Sequence, residues 1–170
     1  MLVCCTVLAL AAAGSATAAG KPDSAVGKKL EAQGLKYEVD EDGDYKLLFE
    51  TKDDRSQIVW VRSPVETLGG MRIREVLSIG GKLEKVKEAG DLAAQAALTA
   101  GAMLKSGDQK LGGWVLKPSG DASVFYYVAQ IPADLGADDL GVVARAVARS
   151  ADEFEELFET LMDKDKKDAY

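Results

Sequence analysis

The sequence contains no histidine, and its only two cysteines, Cys4 and Cys5, lie at the amino terminus. Histidine is the commonest general base in enzymes and the commonest protein ligand of transition metals. Its absence removes both of these uses. Because no cysteine follows Cys5, the rest of the chain also lacks thiol nucleophiles and thiolate zinc sites. We therefore expect no catalysis that depends on imidazole or thiol, no metal site of that kind and no cofactor.

Loops that bind phosphate are also missing from the sequence. The glycine pairs at 69–70, 80–81 and 112–113 lack the lysine of a P-loop and the spacing of a dinucleotide-binding fingerprint. A carboxylate pair or a Ser–Lys dyad stays compatible with the residues, but nothing distinguishes one such pair among 28 acidic and 21 basic side chains. The prediction is a protein that is not an enzyme, with a small cell-envelope hydrolase as the alternative.

Positive charge is scarce relative to negative charge. The net charge is −7, the isoelectric point is about 4.7, and no long basic run interrupts this average. Such a surface repels nucleic acid and anionic lipid headgroups, so we expect neither as a partner. An apolar content of 47% in 170 residues is enough for one folded domain with a proper core.

The amino terminus has the pattern of a signal peptide. Residues 2–13 form an uninterrupted apolar run, and Ala16-Thr17-Ala18 supplies the small residues that signal peptidase accepts. A bilayer span needs about 20 apolar residues, so this run is too short to remain as a membrane anchor. We predict a signal peptide over 1–18 and a single exported domain over 19–170. The protein is then periplasmic or secreted, with no stable membrane insertion after cleavage.

The hydrophobic period changes along the rest of the chain. A period near four predicts a first helix over Ser24–Gln33, capped by Asp23 or Ser24, and a middle helix over Leu92–Lys105, with Leu98 and Leu104 facing inward. A period of two predicts strands joined by short turns. These predicted strands are residues 35–39, 45–51, 57–62, 71–78, 113–117 and 122–131. The pair Gly80-Gly81 is predicted to end the fourth strand.

The last element has the clearest pattern. Apolar residues recur at steps of three and four from Leu140 to Leu161, which predicts one long amphipathic helix. Residues 150–153 mimic a capping box, but the unbroken stripe favours a single helix. The predicted class is α+β: an antiparallel β-sheet meander with an N-terminal helix, a middle helix and a long C-terminal helix packed on it.

The acidic loop Asp40-Glu41-Asp42-Gly43-Asp44 allows two interpretations. Its D-x-D-x-D spacing matches the first three ligand positions of an EF-hand, but the sixth and twelfth positions are Tyr45 and Thr51 instead of Gly and Glu. A hairpin turn with Asp-Gly at its centre explains the same residues. The turn is the favoured interpretation, and a calcium site is the alternative.

Two of the predicted strands are apolar on both faces. The strand over 57–62 has Ile58 and Trp60 on one face and Val59 and Val61 on the other, and the strand over 122–131 shows the same property. A half-exposed antiparallel strand should instead alternate apolar with polar residues. Either helices cover both faces of the sheet, or one face is kept for a partner. In the second case the predicted anchors are the amphipathic aromatic residues Trp60, Trp114 and Tyr127.

The order of these elements resembles the YbjN-like family of bacterial proteins, often labelled sensory transduction regulators. The stretches that carry the resemblance are Leu30–Glu50, Leu111–Leu135 and Val143–Phe158. The middle helix departs from the family pattern, with Gly101 inside it and extra polar residues after Lys105. The resemblance implies the fold of type III secretion chaperones and a non-enzymatic module that binds protein, with a homodimer as one option. It carries over no functional residue.

The predicted function is therefore a non-catalytic exported module, protein-binding or chaperone-like, with a regulatory role as one option. Its partner is an unidentified protein or a second copy of the chain. The alternatives are the small hydrolase and a purely structural component of the cell envelope.

Overall fold

The computed structural model describes residues 20–84 and 89–162, which form three helices and seven strands. The helices are α1 (Ser24–Ala32), α2 (Ala89–Asp108) and α3 (Ala137–Met162). The strands are β1 (Glu38–Val39), β2 (Tyr45–Glu50), β3 (Ser56–Val61), β4 (Glu66–Leu68), β5 (Met71–Leu83), β6 (Gly113–Ser119) and β7 (Ala122–Pro132). The predicted α+β class is confirmed, and α3 is unbroken. The predicted signal peptide lies outside the described residues.

All strand pairs in the sheet are antiparallel. The order across the sheet is β1-β2-β3-β5-β7-β6, and β4 forms a small hairpin with β5. The chain leaves β5 through α2 and returns to the outside of the sheet as β6. Strand β7 then fills the position between β5 and β6. The first three strands are thus a meander, and the last three are not in chain order.

Helix α1 begins at Ser24 as predicted and ends at Ala32, one residue before the predicted end at Gln33. The Asp23 side chain accepts a hydrogen bond from the backbone N–H of Ala25, which caps the first turn. Gly34 follows the helix with φ near +63°, a conformation that glycine adopts without strain. Val26 and Leu30 are fully buried and attach the helix to the main core.

The three helices pack on one face of the sheet, which we call the helix side. A large core cluster joins Val26 and Leu30 of α1 to the inward residues of α3 and of the four central strands. A smaller cluster consists of Leu83, Leu98, Ala102, Phe125 and Phe154, and it holds α2 against α3 and the end of the sheet. The side chain of Trp114 touches both clusters.

Strand β5 corrects one prediction, because it does not end at Gly80-Gly81. It continues to Leu83, and the register with β7 shifts between Ile79 and Gly81 at a β-bulge. A Cβ on Gly80 would lie 2.5 Å from the Trp114 ring, and one on Gly81 would lie 2.4 Å from the Phe158 ring. The glycines are therefore sites of close approach to large side chains, and the chain does not turn there.

Two further predictions were also wrong. Leu98 is fully buried as expected, but Leu104 is 75% exposed on the outer surface of α2. The segment between the predicted strands over 57–62 and 71–78, where no strand is predicted, contains β4, whose three residues pair with the start of β5.

A buried polar cluster fastens α1 to the sheet. Arg74 is 2% exposed and donates hydrogen bonds to the carbonyl oxygens of Arg62 and Ser63 and, at 2.5 Å, to a carboxylate oxygen of Asp23. Asp44, 1% exposed, accepts from the Ser63 N–H at 2.6 Å and pairs with Arg62 at 2.8 Å. Every buried polar side-chain atom of the described residues has a hydrogen-bond partner. The cluster therefore presents no unsatisfied group to a ligand.

The two carboxyl groups of this cluster have pKa values shifted in opposite directions. Burial raises the pKa of Asp44, although the Ser63 N–H and the Arg62 guanidinium oppose that effect. Burial also acts to raise the pKa of Asp23, but hydrogen bonds from the Ala25 N–H and from Arg74 outweigh it and lower that pKa. Asp23 is thus held as the anion that a helix cap and an arginine both favour.

Candidate partner-binding surface

One face of the sheet carries none of the three described helices, and we call it the open face. Strand register places its side chains in two rows that cross the strands. The first row is Lys46, Trp60, Leu77, Val128 and Gly113. The second row is Leu48, Ile58, Ile79, Tyr126 and Val115. Two neighbouring rows that are mostly apolar therefore cross five strands, and helix α2 meets them only at the β6 edge, where Ser106 lies beside Gly113.

Exposure varies across these rows. Leu77 and Val128 lie in the middle of the sheet and are buried, with 6% and 7% of their surface exposed. Leu48 is 67% exposed, while Ile79 and Val115 are exposed to 37% and 39%. Contiguous apolar surface of this kind on a folded protein commonly marks an interaction site.

Polar residues border the apolar rows on both sides. Beyond the first row, Arg62 hydrogen-bonds to Glu75 through the backbone, and Glu75 pairs with Gln130. Beyond the second row lie Lys82 and Lys117, and the Lys117 ammonium is 5.7 Å from the centre of the Tyr126 ring. An apolar centre with a polar rim is the usual composition of a protein-binding patch.

The three predicted anchors do not share one surface. Trp60 is on the open face, beside Leu77. Trp114 and Tyr127 are cross-strand partners on the helix side, with ring centres 5.4 Å apart, and Trp114 also packs on Phe154 at 4.1 Å. The three residues therefore lie on opposite faces of the sheet and do not form one exposed patch.

Tyr127 is enclosed by the protein itself. It is 2% exposed, and its hydroxyl donates a hydrogen bond to the carbonyl oxygen of Leu111. Burial raises the pKa of this hydroxyl above its ordinary value. The tyrosine on the open face is its neighbour Tyr126, which lies opposite Ile79 of β5. The aromatic character of the two tyrosines alone does not indicate which of them is available to bind a partner.

A second feature lies at the edge of the sheet, between the end of β2 and α3, and we call it the edge groove. It is an open cavity of about 390 Å³. Its lining residues are Phe49, Glu50, Thr51, Lys52, Arg145, Ala148, Arg149 and Asp152. None of these was predicted as a site residue, because only the tertiary structure brings β2 and α3 together.

The charges in the edge groove are not balanced. Asp152 is occupied, since it pairs with Arg55 at 3.1 Å and accepts a hydrogen bond from the Thr51 hydroxyl at 2.8 Å. Within residues 20–84 and 89–162, Arg145, Arg149 and Lys52 form no salt bridge. The groove lining therefore carries three cations, Lys52, Arg145 and Arg149, against two anions, Glu50 and Asp152.

The acidic loop folds as a turn. A carboxylate oxygen of Asp40 accepts hydrogen bonds from the backbone N–H groups of Asp42 and Asp44, and Gly43 has φ near +79°. The Asp44 side chain points into the polar cluster, away from the other two aspartates. In the part of the chain that the structure describes, no three acidic, cysteine or histidine side chains are grouped as metal ligands. The hairpin turn fits this geometry better than the calcium loop does.

The fold and the two surface features define a class of structure: a one-sided α+β sandwich with an open sheet face and a positively charged edge groove. No protein-family model, no curated protein and no solved structure matches the chain. The resemblance to the YbjN-like family therefore remains a prediction. Of the helices in the described ranges, none combines the length and apolar character needed to cross a membrane.

Proposed function

We propose that this protein is a non-catalytic, chaperone-like module that binds another polypeptide on its open face. One observation carries the proposal: the second apolar row crosses five strands and has no helix of the described chain upon it. Covering apolar surface releases about 25 cal/mol for each Å² removed from water. A partner with an exposed apolar segment would gain this stabilisation without any chemical step.

The occupant that we propose is a partly unfolded client polypeptide. Two copies of a chain with net charge −7 repel each other, which disfavours a homodimer at low salt. The polar rim of the open face contains both signs of charge, so it does not select strongly against a client of either sign. The predicted signal peptide would place this activity in the periplasm or outside the cell.

The test is suppression of aggregation, followed by light scattering, with insulin reduced by dithiothreitol as the client. The wild-type chain should delay scattering in proportion to its concentration. Ile79→Glu and Tyr126→Glu should each lose most of this effect, because each places a charge within the apolar rows. The matched control is Val142→Glu, which changes a 63% exposed residue of α3 on the far side of the molecule.

Two further readouts complete the experiment. Circular dichroism and urea unfolding should show that all three variants remain folded. Light scattering after gel filtration should give a monomer for the wild-type chain, whereas a dimer that Ile79→Glu dissociates would assign the face to a second copy. If the open-face variants protect insulin as well as the control does, the proposal is wrong.

A further inference from the structure

Strand β2 has a free hydrogen-bonding edge beside four of its six residues. Strand β1 pairs only with Tyr45 and Lys46, and no described strand lies beside the remainder of β2 on that side. The carbonyl oxygen of Asp44 accepts a hydrogen bond from the Asp40 N–H on the side of β1. The N–H of Thr51 donates a hydrogen bond to the Arg55 carbonyl oxygen on the opposite side, toward β3. Backbone direction alternates along a strand, so the N–H and C=O groups of Leu48 and Glu50 point outward.

The edge groove lies against this free edge on the helix side. Arg145 and Arg149 are one helical turn apart on α3, a spacing at which like charges repel and destabilise a helix. Arg55, by contrast, lies within 4 Å of the carboxylates of Asp152, Glu155 and Glu159 on the same helix. Three acidic residues of α3 thus gather around the single Arg55, whereas Arg145 and Arg149 form no salt bridge with any described residue.

The apolar part of the groove has a definite position. Phe49 and the buried Ala148 contribute apolar surface between the arginines and the strand edge. The volume of about 390 Å³ is within the usual range for a small binding pocket. This combination fits a carboxylate carried on a short aliphatic chain, such as the side chain of Glu or Asp.

The opposite edge of the sheet shows how a free edge is normally protected. Strand β6 carries Pro118, which has no N–H, and the charged Lys117. Both residues discourage an added strand. The outward part of β2 contains no proline, and its neighbouring cavity is lined by three cations as well as by Glu50 and Asp152.

We propose that the edge groove binds an extended acidic segment of the partner polypeptide, which adds to the sheet as a strand beside Leu48 and Glu50. Alternate side chains of an added strand point to opposite faces of the sheet. Acidic side chains would therefore enter the groove toward Arg145 and Arg149, and the apolar side chains between them would lie beside Leu48 on the open face. This inference rests on the proposed function and specifies the chemistry of the partner.

A short synthetic peptide provides the probe. A capped peptide of alternating glutamate and valine should bind the full chain, and backbone amide signals of Leu48 and Glu50 should shift and become protected from hydrogen exchange. A peptide with glutamine in place of glutamate should bind about tenfold more weakly, because the charge-assisted hydrogen bonds are lost. A lysine–valine peptide should not bind.

Variants of the protein test the same contact between the acidic peptide and the groove arginines. The double variant Arg145→Gln/Arg149→Gln should weaken binding of the acidic peptide by about tenfold or more. Arg72→Gln, a change at an exposed arginine outside the groove, should leave binding unchanged. Added salt should weaken wild-type binding and should have little effect on the double variant.

Peptide backbone methylation separates strand pairing from simple charge attraction. In one peptide the valine nitrogens are methylated, and in another the glutamate nitrogens are methylated. Only one set can face β2, so exactly one of these peptides should lose affinity. Equal affinity of both for the protein, or binding that does not protect Leu48 and Glu50, would overturn the strand-addition model.

The outcomes also separate this inference from the proposed function. If the acidic peptide does not bind but Ile79→Glu still abolishes protection of insulin, the groove proposal fails alone. If the peptide binds as described while the open-face variants protect insulin normally, the groove is correct and the proposed use of the open face is wrong.

Discussion

At the scale of single residues, Arg74 has the most constrained environment among the charged groups. It is buried, and its guanidinium donates hydrogen bonds to the backbone carbonyls of the adjacent residues Arg62 and Ser63 and to the carboxylate of the distant Asp23. Planar, always-charged arginine suits this role better than lysine. The residue thus connects the cap of α1 to the end of β3.

Replacing Arg74 by methionine should therefore be costly. The carbonyls of Arg62 and Ser63 and the Asp23 carboxylate would lose their donor, and breaking a buried pair in this way costs about 3–5 kcal/mol in the free energy of unfolding. Urea denaturation followed by circular dichroism measures the change. Arg72→Met, two residues earlier on the same strand and exposed, should change stability by less than about 0.5 kcal/mol. Similar losses in both variants would contradict the assigned role of the cluster.

At the scale of elements, the bulge in β5 shows what a glycine pair can mean. The bulge directs two successive residues of the strand toward α3, and each has room only for hydrogen in place of a side chain. Trp114 and Phe158 fill the space above them. The sheet and the carboxyl-terminal half of α3 can approach closely only because of this arrangement.

Gly80→Ala is expected to destabilise the protein by about 1–3 kcal/mol, the usual cost of overpacking a core. The added methyl would meet the rings of Trp114 at 2.5 Å and Phe154 at 2.9 Å, so these rings must move. Thermal unfolding and near-ultraviolet circular dichroism report both effects. Gly70→Ala is the control, because nothing lies within 4 Å of the new Cβ. If Gly80→Ala were as stable as the wild-type protein, the prediction would be wrong, and the rings around Gly80 would be able to move without loss of stability.

The helices and most strands could be predicted because their causes are local. The Asp23 cap, the stripe of α3 and the short apolar runs of β3 and β7 all lie within a few residues of the elements that they define. Gly80-Gly81 could not be interpreted in this way, because the side chains that require glycine there are distant in sequence. Leu104 was wrongly assigned to the interior for a related reason, since an alanine-rich helix has no single apolar stripe.

The candidate site was predictable only in part. The sequence showed that β3 and β7 have two apolar faces, and it placed Ile58 beside Trp60. It did not show which face the helices cover, so Trp114 and Tyr127 were grouped with Trp60 although they point the other way. The edge groove depends on the position of α3 relative to the end of β2, which no local pattern specifies.

At the scale of the whole molecule, the core is divided into two clusters of unequal size. The larger joins α1, the first half of α3 and the central strands, whereas the smaller holds α2 and the second half of α3. Regions with fewer buried apolar contacts open at lower free energy than the main core does. The end of the molecule that contains α2 should therefore unfold locally before the rest.

Phe154→Ala tests this division. Phe154 is fully buried between Trp114 and Phe125, and its loss should cost about 3–5 kcal/mol. Native-state hydrogen exchange should show that the amides of α2 lose protection far more than those of α1. Leu30→Ala, in the larger cluster, should instead reduce protection in both helices because it weakens the global fold. Uniform loss of protection in Phe154→Ala would mean that the two clusters unfold as one unit.

The one-sided packing of the sheet separates the residues that specify the fold from those available for recognition. The side chains of the main core point toward the helices. Exposed residues at the ends of the open-face rows, such as Leu48 and Val115, can therefore be substituted with little effect on stability. A single scaffold of this kind can acquire a new ligand preference through surface substitutions alone. Because its side chains contribute little to the core, the open face is a suitable place to engineer the recognition of a new ligand.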